Sequence, residues 1–128
     1  MGIFDRLFKK NDTPTFGKVQ EEIMVLENQN GMITDPTKQD VEDYLQEMFQ
    51  DPDQFVTLTH AKAKYGVRYV QACIVGPKLI VQLGVEKGNS TKLVEKICSN
   101  SKECVDIFYL FYETGKVNNL EEYQPVKF

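Results

Sequence analysis

Between Thr37 and Glu86 the hydrophobic pattern changes period once, from helical to strand-like, and that change limits the folds open to the chain. In TKQDVEDYLQEMFQ, the residues Val41, Tyr44, Leu45, Met48 and Phe49 fall at i, i+3, i+4, i+7 and i+8. This is the apolar stripe of a core-facing helix, with Asp35 placed to cap it and Pro36 at its first position. Asp51-Pro52-Asp53 then stops it, because the residue before a proline is pushed out of the α region. From Gln54 to Thr59, Phe55, Thr57 and Thr59 alternate with Val56 and Leu58, the period of a half-buried strand. AKAKYG connects to Val67–Val75, β-branched enough for a central strand, and Gly76-Pro77 reverses the chain into Leu79–Glu86. Three strands joined by short loops make an antiparallel meander over 54–86.

The flanks add less. Residues 18–27, KVQEEIMVLE, fit either period, with strand preferred, and NQNG at 28–31 is a turn. Gly88-Asn89-Ser90 is expected to start a helix whose short apolar face is Leu93, Val94, Ile97 and Cys98. SKECVDIFYLFYETG suits a strand by composition. However, Val105, Phe108, Tyr109 and Tyr112 share a helical face and Gly115 sits where a left-handed cap belongs, so helix is chosen. NNLEEYQPVKF can add one strand, with Pro125 tolerable only at an edge. The expectation is α+β: an antiparallel sheet of three to five strands packed by two or three helices, in a single domain over 18–128.

At 128 residues the chain can bury a core without disulfides or metal, and its longest apolar runs are far too short to cross a bilayer. MGIFDRLFKK lacks the apolar run and cleavage site of a secretory signal, so a cytoplasmic protein is expected. Its apolar residues Ile3, Phe4, Leu7 and Phe8 with Lys9 and Lys10 could lie in a membrane surface, but nine residues bury too little area to anchor alone; a helix docked on its own domain, or a frayed start, is the preferred reading for 1–10. The segment NDTPTFG that follows has the composition of a linker.

Arg6, Lys9 and Lys10 against Asp5 give residues 1–10 a charge of +2, so the remainder carries −6 within a whole-chain value of −4. Such a balance repels nucleic acid and suits a basic partner. Cys73, Cys98 and Cys104 have neither the pairing of a disulfide framework nor the spacing of a zinc site, so reduced thiols are expected. His60 is the only histidine and is read as a surface residue, since no serine or cysteine lies at a recognisable nucleophile motif. The glycines at 76, 84 and 88 do not form a phosphate cradle. No catalytic residue, metal site or cofactor is assigned. The carboxylates Asp40, Asp43, Glu47, Asp51 and Asp53, which lie opposite or beyond the core stripe, read first as solvated charge and otherwise as the candidate partner-binding face.

Two blocks resemble a known family. GMITDPTKQDVEDYLQEM at 31–48 resembles the opening of small immunity proteins of bacterial polymorphic-toxin systems, and IFYLFYETGKVNNLEEY at 107–123 resembles a helix end near their C-terminus. The helix followed by a meander also looks like the chaperone-like fold of type III secretion. Either resemblance implies stoichiometric protein binding without catalysis: neutralisation of a cognate toxin, which for an acidic binder would be a basic secreted one, or escort of a secreted protein. An adaptor held at a membrane by residues 1–10 is the remaining alternative. A free sheet edge would also permit a homodimer.

Overall fold

The computed structural model describes residues 23–126, and their strand-forming pattern extends beyond the meander in both directions. The strands are β1 (Met24–Asn28), β2 (Gly31–Thr34), β3 (Phe55–His60), β4 (Val67–Val75), β5 (Lys78–Lys87), β6 (Ser90–Ile97) and β7 (Gln124–Pro125). All pair antiparallel in one open seven-stranded sheet of order β2-β1-β3-β4-β5-β6-β7. Among the described residues two α-helices join them, α1 (Lys38–Gln50) and α2 (Ser101–Thr114), together with a 3-10 turn at Leu120–Glu122.

The α+β class and antiparallel sheet match the expectation, but the sheet is wider than three to five strands. The largest correction is at β6, where a helix was expected. Gly88 takes φ 60°, and the two-residue Gly88-Asn89 connection turns the chain back along β5. Gly76 at φ 61° does the same before Pro77 between β4 and β5. Glycine with positive φ at the first position of a two-residue loop suits the twist of a hairpin. The second turn repeats the grammar of the first. Register then runs from Lys87 opposite Ser90 to Ile80 opposite Ile97, and gives β5 a partner for its second edge.

β2 was also not anticipated as a strand. It forms because the predicted turn is a tight one: Asn28 Oδ1 accepts the N–H groups of Asn30 and Gly31 at 2.8 and 3.1 Å, which folds Gly31–Thr34 back on β1. The preference for strand over 18–27 holds where β1 begins at Met24; the earlier residues of that stretch lie outside the described ones. β7 sits at the edge, as Pro125 requires.

α1 has the predicted stripe, with Val41, Leu45 and Met48 buried, but a different start. Thr37, not Asp35, is the N-cap: its hydroxyl accepts the Asp40 N–H at 3.1 Å while Asp40 Oδ2 accepts the Thr37 N–H at 2.8 Å. This reciprocal box satisfies two donors that the helix would otherwise leave open. Pro36 therefore precedes the cap, and Asp35, at φ 59°, turns the chain out of β2 with its N–H on the Met24 carbonyl. α2 is capped by Asn100 at its start and by Gly115 at φ 78° at its end, and buries Cys104, Phe108 and Phe111.

Both helices cover the same face of the sheet. Leu26, Val56, Leu58, Val70, Ala72, Val81 and Leu83 point at them from alternate strand positions and form one core with the buried helix residues. The helices are tied to each other across polar groups at their rim: Tyr112 Oη donates to the Pro36 carbonyl, Tyr109 Oη to Glu42, and Lys38 pairs with Glu113 at 2.8 Å.

Candidate functional site

The helical period that buries Val41, Leu45 and Met48 turns Asp40, Asp43 and Glu47 to the outer side of α1, at i, i+3 and i+7. Asp43 and Glu47 are exposed, and Asp43 accepts only an amide hydrogen bond from Gln39, at 2.9 Å on the same helix. Asp40 is half-buried and committed to the capping box. Asp51 is the C-cap residue, with one carboxylate oxygen accepting from the Asp53 N–H and the other from Gln54 Nε2. Asp53 is exposed beyond it, its carbonyl accepting from Gln29 of the β1–β2 turn. The five predicted residues thus divide. Asp40 and Asp51 hold the ends of the helix, while Asp43, Glu47 and Asp53 are left to meet something else.

The electrostatics of that face run against the helix. The last turn of α1 contains no basic residue, yet Glu47 and Asp51 stand at the end where the backbone dipole already concentrates negative charge. The Tyr44 phenol, among these groups, is pushed above its ordinary range by burial and then by the charges of Glu47 and Asp40.

Two clefts lie among the described residues. One, of about 330 Å³, is lined by Met24, Asp35, His60, Tyr112 and Glu113 among others. It corrects the reading of His60 as a surface residue: the side chain is only 4% exposed, edge-on to Phe111 with ring centroids 6.4 Å apart. β3 runs one residue further than its alternation suggested, so His60 falls on the helix-covered face beneath the end of α2. Its Nδ1 accepts the Lys62 N–H at 3.2 Å, which makes the neutral ring a donor through Nε2. A ring held this way can orient a group but does not present a free base.

The second cleft, also about 330 Å³, lies between α2 and the segment that follows it. Lys96 lines it, with its ammonium 2.7 Å from both Glu103 and Glu122 and 5.6 Å from the Tyr123 ring. Hydrogen bonds to Glu103 and Glu122 raise the Lys96 pKa, and the bond from Lys96, followed by one from the Ser99 N–H, lowers that of Glu103. Burial pushes the Tyr123 phenol to about 12. No spacing in the sequence joins residues 96, 103 and 122; β6, α2 and the 3-10 turn bring them together.

Among the described residues, no group of three or more His, Cys, Asp or Glu side chains is placed to hold a metal ion, and no helix is long and apolar enough to cross a membrane. Phe4, Leu7, Phe8, Lys9 and Lys10, the membrane-surface candidates, lie outside the described residues. Comparisons with protein-family models, with curated proteins and with solved structures returned no match to this chain.

Proposed function

We propose that this chain is a non-catalytic protein-binding protein, of the immunity type, that neutralises a basic toxin by stoichiometric contact through the outer face of α1. The observation that carries this reading is the run of Asp43, Glu47, Asp51 and Asp53 toward the C-terminal end of a helix with no compensating cation in its last turn. Negative charge at that end costs stability, on the order of 0.3–1 kcal/mol per exposed group. A cationic partner surface would offset that cost, and the long-range field would raise the association rate. The net negative charge of the chain acts in the same sense. The resemblance of 31–48 to the opening of immunity proteins supports the same reading, since that block contains most of α1.

The test is co-expression with each adjacent reading frame whose product is toxic to the host cell. Wild type is expected to restore growth, and a purified pair to titrate to a one-to-one end point. Asp43→Lys with Glu47→Lys, both exposed and outside the core, is expected to weaken binding at least about tenfold. Unchanged binding by that variant would remove the α1 face from the interface.

The cleft at His60 favours a second reading, a small-ligand site, because a mostly buried imidazole lines it with two carboxyl side chains, Asp35 and Glu113. Thermal-shift screening of the full chain against small anions, amines and sugars tests it. A hit whose shift disappears in Glu113→Gln, which changes an exposed residue, would favour it over protein binding.

A further inference from the structure

The cleft between α2 and the chain that follows it is built on a buried tyrosine. Ile107 and Leu110, three residues apart, stand on the flank of α2 beside the stripe of Cys104, Phe108 and Phe111 that enters the core, and both stay half-buried. Gly115 ends the helix in the left-handed region, and the chain beyond it brings the half-buried Val117 to the same cleft. The 3-10 turn then fixes Tyr123, whose N–H donates to the Leu120 carbonyl at 3.0 Å. Its side chain is 6% exposed and belongs to the main core.

The core does not need the hydroxyl of that tyrosine. It makes no hydrogen bond among the described residues, although a buried phenol ordinarily finds a partner. A phenylalanine would fill this corner of the core equally well. Gln54 Oε1 is the one side-chain atom among the described residues that is both sealed from solvent and unpaired, so the Tyr123 oxygen is reached from the cleft that Tyr123 lines. Burial pushes the phenol to about 12, which leaves a neutral hydroxyl at neutral pH, able to donate and to accept.

The charged side chains of the cleft are already matched. Lys96 stands 2.7 Å from both Glu103 and Glu122, and Lys102 stands 2.9 Å from Asp106. An ionic ligand would find no uncompensated counter-charge there, and burying its charge would cost free energy. The volume of about 330 Å³ is roughly twice that of an apolar cavity of about 150 Å³ that takes up benzene. We propose that this cleft is a binding site for a small uncharged molecule with an apolar body of one or two rings, set against Ile107, Leu110 and Val117, and one hydrogen-bonding group that meets the Tyr123 hydroxyl. An apolar wall with a single convergent polar group is the ordinary make-up of a small-molecule site. The cleft lies on other elements than the outer face of α1, and the inference is independent of the binding reading.

The test uses three probes of one size and different charge. Nitrogen-15-labelled full-length protein is titrated with benzamide, benzoate and benzylammonium while its backbone amide resonances are followed. Benzamide is expected to shift the amides of Ile107, Leu110, Val117 and Tyr123 with a low-millimolar Kd, which is what about nine non-hydrogen atoms allow. The two ions are expected to bind at least about threefold more weakly. Tyr123→Phe removes only an oxygen that the fold leaves unpaired, so its melting temperature is expected to hold or rise while its affinity for benzamide falls about three- to tenfold. Unaltered affinity in Tyr123→Phe, equal binding of the three probes, shifts confined to other surfaces, or no shift at all would each overturn the proposal. So would changes in the same amides on dilution without any probe, the sign that a second copy fills the cleft.

Discussion

The two faces of the one sheet are built from the same strands and differ in almost everything else. Under the helices, Leu58, Val70, Leu83 and Val94 face the core in a row across β3 to β6. On the other face, Thr57, Gln71, Gln82 and Glu95 form a ladder across the same strands, with side-chain hydrogen bonds of 2.7, 3.3 and 3.1 Å. Beside that ladder runs an apolar row of Phe55, Cys73, Ile80 and Ile97, ending in an Ile97 that is 56% exposed. On its other side Tyr69 lies over Gly84, so close that a Cβ there would stand 2.2 Å from the ring. Alternation alone thus assigns residues to two sides, and the helices decide which side becomes the interior.

Substitutions within β5 measure that difference directly. Leu83→Ala on the covered face is expected to cost about 2–5 kcal/mol in urea unfolding, the price of a cavity in a closed core. A loss below about 1 kcal/mol would mean that this core is loosely packed. Gly84→Ala is expected to cost about 1–3 kcal/mol through its collision with Tyr69, and most of that loss should vanish when Tyr69→Ala is added. Additive costs would place the strain in the backbone instead. Ile80→Ala, on the open face three residues before Leu83, is expected to cost about 1 kcal/mol or less because its side chain is only half-buried. A cost equal to that of Leu83→Ala would show that the open face is covered in solution.

The smallest effect concerns Lys96, the polar group that β6 contributes to the edge of the covered side. Glu103 is held below its ordinary carboxyl range, first by its hydrogen bond from Lys96, so its contribution is present above the unfolded value near 4.5 and is lost as pH falls through the lowered one. Lys96 is held above its ordinary range, so its contribution is present below the unfolded value of 10.5 and lost as pH rises through the raised one. The difference in melting temperature between wild type and Lys96→Met should therefore be larger at about pH 7 than at about pH 3. A difference that stays constant in acid would show that the ion pair contributes nothing measurable.

What could be read locally was read well. The α1 stripe, the Asp51-Pro52-Asp53 stop, the β3–β4–β5 meander and the left-handed Gly115 cap each depend on residues within a few positions of one another. The α1 carboxylates were legible for the same reason, because the residues opposite a buried stripe must point outward. Asp40 and Asp51 nonetheless turned out to be spent on capping, a distinction that needs coordinates.

The remainder was settled at a distance. Leu93, Val94, Ile97 and Cys98 satisfied a helical face, and the segment up to Ile97 became the strand β6 because the second edge of β5 offered a complete row of backbone partners. His60 became buried when α2, far away in sequence, closed over the end of β3. The Lys96 cluster exists only where β6, α2 and the 3-10 turn come together. Periodicity and turn chemistry act over one or two turns of chain, so the sequence by itself determined the identity of most elements and the outward face of α1. Burial and pairing depend on which elements meet. Only the tertiary structure could decide the width of the sheet, its covered side and the company kept by its one histidine and by Lys96.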